Sequence, residues 1–241
     1  MGGIVGQHAS GSISTATNTG NVTATSSSYA GGVVGLSSVA ITGANNKGTV
    51  TGKEYTGGMA GAAEGGKSVD VCSAEGAVTG TNYTGGLIGN YVGGTVLASS
   101  AKGTINGSQY TGGLIGKSTG SVSISSHSGG NVSGSSYVGG LIGQSSSPLN
   151  GSRHSGGNVS GTDYVGGLAG SLSSGSVTEC YSYANITGTD NVGGIIGCYT
   201  LNSGNSPQIK SSVFSVTLTR VNMWVVSWDK SNTQEMFKLG A

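Results

Sequence analysis

Eight glycine pairs recur at near-constant intervals along this chain, beginning at Gly2, Gly31, Gly57, Gly85, Gly112, Gly139, Gly166 and Gly193. Consecutive starts differ by 29, 26, 28, 27, 27, 27 and 27 residues. Each pair is followed by two apolar residues and a third glycine, as in Gly112-Gly113-Leu114-Ile115-Gly116. A fixed period in this range marks a solenoid, in which each repeat rests on its neighbours. One repeat copied eight times therefore makes a single elongated body.

Glycine is 49 of 241 residues and charged residues are 8%, a composition that could also belong to a low-complexity segment. The fixed spacing of apolar residues argues against that, because a disordered chain has no reason to keep it. The formal net charge of +1 comes from side chains scattered singly, without the clustered Lys and Arg that phosphate neutralisation needs, so nucleic acid is excluded as a partner. No run of about 18 apolar residues exists, and a membrane span is not expected. Met1 leads straight into the middle of a repeat. The start therefore reads as a cut end, and any secretion signal is expected outside this chain.

Residues 112–138 show what one repeat contains. Three β-prone runs, 110–115, 121–125 and 131–133, are separated by Gly- and Ser-rich corners, and no helical period is present. Three short strands per coil predict an all-β parallel β-helix of about eight coils, right-handed by the default for parallel crossovers. Equivalent residues of successive coils then lie about 4.8 Å apart. Val50, Val78, Ile105, Val132, Val159 and Ile186 stand seven residues before their glycine pairs, with Val22 displaced by a two-residue insertion. Small polar flanks make this an inward β-branched row. The flanks themselves, such as Thr49 and Thr51, Asn131 and Ser133, or Asn185 and Thr187, form an outward hydroxyl and amide array able to bind glycans. Too few of them are Thr for an ice-binding face.

Tyr29, Tyr55, Tyr83, Tyr110, Tyr137 and Tyr164 stand two residues before their pairs, with Asn191 in the seventh place. Stacked in register they form either a structural corner ladder or a sugar-stacking strip, and Tyr55, Tyr83, Tyr110, Tyr137 and Tyr164 are the candidate binding residues. The doublets Leu87-Ile88, Leu114-Ile115 and Leu141-Ile142 pose a separate question. Consecutive strand residues face opposite ways, so either a glycine bend tucks both inside or an apolar stripe meets a partner. The bend is the expectation.

No catalytic constellation is expected. Most acids are isolated, the exception being Asp163 and Asp190, each three residues before a pair in neighbouring coils. They could hold a retaining carboxylate pair or Ca²⁺, but they share their row with Ser28, Glu54, Asn82, Gln109 and Ser136, which reads as a solvated corner. His127 and His154 also share a row, with Tyr181 next in phase and no third metal ligand, so no metal and no cofactor are predicted. Cys72 and Cys180 are four repeats apart, about 19 Å at strand spacing and beyond disulfide reach. All three cysteines, Cys198 included, read as small apolar fillers.

The Gly-Gly-Leu-Ile-Gly strings at Gly85, Gly112 and Gly139, with GGLAG at Gly166 and GGIIG at Gly193, resemble the GLUG motif, as does the preceding Asn131 to Val138. The resemblance covers residues 2 to about 200. GLUG repeats occur in large bacterial surface and secreted proteins, including adhesin-like proteins and non-catalytic regions of immunoglobulin A proteases. It implies a non-catalytic structural or adhesive module at the cell surface or outside it, with extracellular glycans or host surface proteins as partners. The alternatives are a filament subunit joined end to end and a polysaccharide-cleaving enzyme built on Asp163 and Asp190. Residues 1–210 are expected to form the helix. Residues 211–241, glycine-poor and holding Trp224, Trp228, Phe214 and Phe237, are expected to form a β cap.

Overall fold

The computed structural model describes residues 1–200, 208–215, 218–219, 224–228 and 234–238, with side chains as far as Ser215. It is a parallel β-solenoid of about seven turns. In the fifth turn the strands are Gln109–Gly112 (sheet A), Ile115–Ser118 (sheet B), Ser121–Ser123 (sheet C), and Ser126–Ser128 and Val132–Ser133, which both belong to sheet D. This coil therefore carries five short strands where the sequence predicts three, and in the next two coils the sheet D pair is merged into the single strands Arg153–Ser160 and Tyr181–Thr187. The run 110–115 is split by Gly113 and Leu114 between two sheets, and Ser126–Ser128, which has no β-branched residue, lies in what reads as a corner.

The glycine pair causes the split. A Cβ on Gly112 would run into the carbonyl oxygen of Ile115, three residues on, and the first glycine of every later pair stands in the same relation to its own coil. The bend turns Leu114 inward on one side and Ile115 inward on the next, and both are fully buried, as are Leu87, Ile88, Leu141 and Ile142. The doublets thus leave no apolar stripe outside.

The second glycine sets the thickness of the body. A Cβ on Gly113 would lie 2.5 Å from the His127 ring across the interior, and one on Gly86 would lie 2.8 Å from Ala101 Cβ. Each cross-section is accordingly pinched at a waist. On one side lies the larger core, made of the Leu-Ile doublets, the sheet C row Ile41 to Val177, and Tyr91. On the other lies a slimmer core of Val78, Ile105, Val132, Val138, Val159 and Val165. The β-branched row is continuous from Val22 through Val50, Val78, Ile105, Val132 and Val159 to Ile186, each paired with the next. The offset of Val22 is absorbed as the sequence indicates.

The stack extends beyond residue 210. Ile209–Lys210, Val213–Phe214 and Leu218–Thr219 pair in parallel with the preceding coil. Trp224–Trp228 and Gln234–Lys238 pair antiparallel with each other. The expected cap otherwise falls outside the described residues. Among the described residues no helix is long and apolar enough to cross a membrane.

Candidate functional site

The tyrosine row is a closed ladder. From Tyr29 to Tyr164, successive ring centroids are 4.7–5.0 Å apart and planes differ by 4–14°. Every internal ring has both faces against its neighbours, which leaves edges and hydroxyls at the surface. The rings are half-buried. Lys117 Nζ lies beside the stack, 5.9 Å and 5.6 Å from the Tyr83 and Tyr110 centroids. Tyr83, Tyr110, Tyr137 and Tyr164 have φ between 42° and 55°, a left-handed conformation disfavoured for L-residues. Asn191, with φ of 52°, takes the seventh place, and Asn tolerates that region far better. Burial pushes the Tyr55, Tyr83 and Tyr137 phenols upward, so they stay neutral donors at physiological pH. The geometry suits a corner brace better than a strip of open sugar platforms.

Asp163 and Asp190 are direct register partners. Asp163 Oδ1 accepts from the Tyr164 amide at 2.9 Å and from Asn191 Nδ2 at 2.8 Å, so that carboxylate braces the left-handed corner of its own coil and the next. Among the described residues no group of three His, Cys, Asp or Glu could hold a metal ion.

His127 and His154 stack in parallel inside the waist, fully buried, with Nδ1 atoms 3.0 Å apart. His127 Nε2 lies 3.0 Å from the Gly103 carbonyl oxygen, which can only accept. The tautomers follow from that contact. His127 donates through Nε2, its Nδ1 accepts, and His154 donates through Nδ1, leaving His154 Nε2 buried without a partner. Burial lowers both pKa values, that of His154 to about 3 with His127 as a second cause. The residue that follows His154 in the row is Ser182 and not Tyr181, which pairs with Arg153. Relative to Gly156 and Gly157, the next corner has one residue fewer between Tyr183 and Asn185, which shifts the phase by one.

A second internal row escapes sequence reading. Ser99, Ser125, Ser152, Cys180 and Ser212 each accept, through Oγ or Sγ, the backbone N–H of the residue one coil earlier, at 3.1–3.4 Å. Each also donates to the carbonyl two residues before itself, as Ser125 does to Ser123 at 2.8 Å. Cys72 begins this row and donates to Asp70 in the same way. Cys72 and Cys180 are thus buried stand-ins for serine. Burial holds the Cys72 thiol up at about 11 and raises Cys180 too, which leaves both inert. Cys198 departs from the filler expectation, being half-buried on the outer row of sheet B beside Ser171. All three cysteines are free. Ser125→Ala should cost about 1–3 kcal/mol, because it strands the Ser99 amide in the core, whereas Cys180→Ser should cost under about 1 kcal/mol. Thermal unfolding of the two variants measures the contrast.

No family model, curated protein or solved structure matches this chain. The outer surface has to be weighed on its own chemistry.

That surface carries one feature the sequence does not advertise. In the strand Tyr181–Thr187 burial alternates strictly, so Tyr183, Asn185 and Thr187 point out. Tyr183 is 51% exposed, and the other nine tyrosines are half-buried or buried. Beside it lies an open groove of about 500 Å³ lined by Asn131, Gly157, Asn158, Tyr183, Asn185 and Ser215. Asn131 Oδ1 accepts from the Asn158 amide at 2.8 Å, and Asn185 Nδ2 donates to Asn158 Oδ1 at 3.3 Å.

Proposed function

We propose that this chain is a non-catalytic structural and adhesive β-solenoid module of a bacterial cell-surface or secreted protein, built from GLUG-type repeats. The observation that carries this reading is the outer row of sheet D from Thr23 to Thr187. Every coil there presents a small hydroxyl or amide in register with the next, through Thr51, Thr79, Asn106, Ser133 and Ser160. A row of like groups at strand spacing suits repeated weak contacts to an extended or crowded surface, which add through effective concentration. The packed interior, with its glycine bends and internal hydroxyl row, supports a stiff spacer. Extracellular glycans or host surface proteins are the partners this chemistry fits.

Retention of beads coated with the full chain on a mucin layer under flow tests the proposal. Retention should rise steeply with coating density and should be competed poorly by the soluble protein. Retention no better than that of albumin-coated beads at every density would end it. Release of reducing ends from a polysaccharide panel, lost in Asp163→Asn/Asp190→Asn, would replace it with the enzymatic alternative.

A further inference from the structure

We infer that the groove beside Tyr183 is a binding site for a neutral, extended oligosaccharide. The inference rests on the adhesive reading for its context and adds to it a place and a ligand class.

The chemistry of the lining selects the ligand. Asn131, Gly157, Asn158, Tyr183, Asn185 and Ser215 include no ionisable carboxylate, amine, guanidinium or imidazole, so the site has no charge with which to hold an anion or a cation. It offers amides and hydroxyls on an almost wholly polar wall, and the exposed ring of Tyr183 stands beside it. A sugar ring matches that set, having a C–H face that packs on an aromatic surface and hydroxyls in its plane that bridge the donor and acceptor of an amide.

The arrangement selects an extended chain. Asn131, Asn158 and Asn185 occupy consecutive coils, so their amides are about 4.8 Å apart along the solenoid axis. One residue of an extended β-linked glycan advances by about one such step, and successive sugars would meet successive amides. The internal bonds of the row use Asn131 Oδ1, Asn158 Oδ1 and Asn185 Nδ2 in part. Among the described residues Nδ2 of Asn131 and Asn158 have no protein partner, and both residues line the groove. An open trough suits a polymer laid along it better than a small molecule enclosed by a pocket.

Tyr183 sets the place along the rod. It occupies the position held by Ser128 and Ser155 in the two preceding coils. Tyr181 meets it at 51° with centroids 5.1 Å apart, a tilted contact unlike the face-to-face stacking of the ladder. Tyr183 therefore keeps open surface that the ladder rings have lost to one another. Gly157, in the adjacent strand of the lining, has no side chain to fill the trough.

Saturation-transfer NMR on the full chain, with the β-linked hexaoses of glucose, N-acetylglucosamine and mannose as probes, tests this. At least one should bind, with a Kd on the order of 1 mM. Tyr183→Ala should weaken it roughly tenfold, the size expected for a lost aromatic contact, and Tyr183→Phe should restore most of it. Asn185→Ala should also weaken binding, and Tyr137→Ala in the ladder should leave it unchanged. Tyr183 and Asn185 are exposed, and circular dichroism checks that their variants fold. Binding that survives Tyr183→Ala, or that prefers a polyuronate over every neutral hexaose, overturns the inference. Absence of hexaose binding by a protein whose coated beads still adhere overturns this site and leaves the adhesive module standing.

Discussion

Gly112→Ala should destabilise the protein by about 3 kcal/mol or more, placing it among the severe single substitutions. The added methyl would run into the Ile115 carbonyl, and Gly113→Ala would run into the Gly140 carbonyl and the His127 ring. Backbone atoms cannot rotate away as a side-chain tip does, so relief requires opening the bend that buries both Leu114 and Ile115. That bend is hydrogen-bonded to its copies in the coils on either side, the Leu114 N–H donating to the Leu141 carbonyl and the Leu114 carbonyl accepting from the Leu87 N–H. Distortion in one coil therefore propagates, and unfolding should broaden as well as shift, since repeat arrays lose cooperativity when one interface weakens. Gly6→Ala supplies the control. It has nothing within 4 Å of its would-be Cβ and no left-handed φ, so its effect should stay within about 0.5 kcal/mol. Urea unfolding of the three variants decides the matter. Equal effects at Gly6 and Gly112 would show that the pair matters for chain flexibility alone, and the steric account would fail.

That contrast also shows what could be read before the structure. Whatever repeats with an unmistakable side chain was legible. The tyrosine ladder stacks in the predicted order, the β-branched row pairs from Val22 onward, and the doublets turn inward at the glycines. Strand boundaries within a coil were less so, because Ser126–Ser128 carries no β-branched residue and owes its pairing to its neighbours in the stack. The internal serine row was hidden twice over. A buried serine looks like a corner serine in sequence, and Ser125 and Ser152 stand fourteen residues before their glycine pairs where Cys72, Ser99 and Cys180 stand thirteen. The extra residue sits in the following corner, which holds Gly129-Gly130 in one coil and Gly156-Gly157 in the next. The same slip put Tyr181 behind His154 in place of Ser182. Of the candidate site, the asparagine row was visible as an outward polar array. Tyr183 was not, because it belongs to no tyrosine series and stands at an outward position that the two preceding coils fill with Ser128 and Ser155.

Acid should destabilise this protein earlier than its carboxylates require, through His127 and His154. In the unfolded chain both imidazoles take up a proton near the ordinary histidine value of about 6.5. In the folded chain burial opposes this, and His154 titrates only at about 3. Between those values the unfolded state binds more protons than the folded one, so stability falls as pH drops through that window. For His154 the slope approaches 1.4 kcal/mol per pH unit, and by pH 4 that residue alone removes roughly 3 kcal/mol, with His127 acting in the same direction. Protonation at Nδ1 of His127 would also replace the imidazole–imidazole hydrogen bond by two donors facing each other at 3.0 Å. The row itself indicates the remedy. Its earlier rungs are Ala74 and Ala101, so His127→Ala/His154→Ala keeps a side chain this waist already accommodates, at the cost of a cavity at neutral pH. The double variant should begin less stable at pH 7 and lose far less between pH 6.5 and 4, with the two stability curves converging or crossing as acid is added. Urea midpoints at half-unit pH steps measure this directly. Parallel curves for the two proteins across that window would show that the buried pair contributes nothing to acid sensitivity.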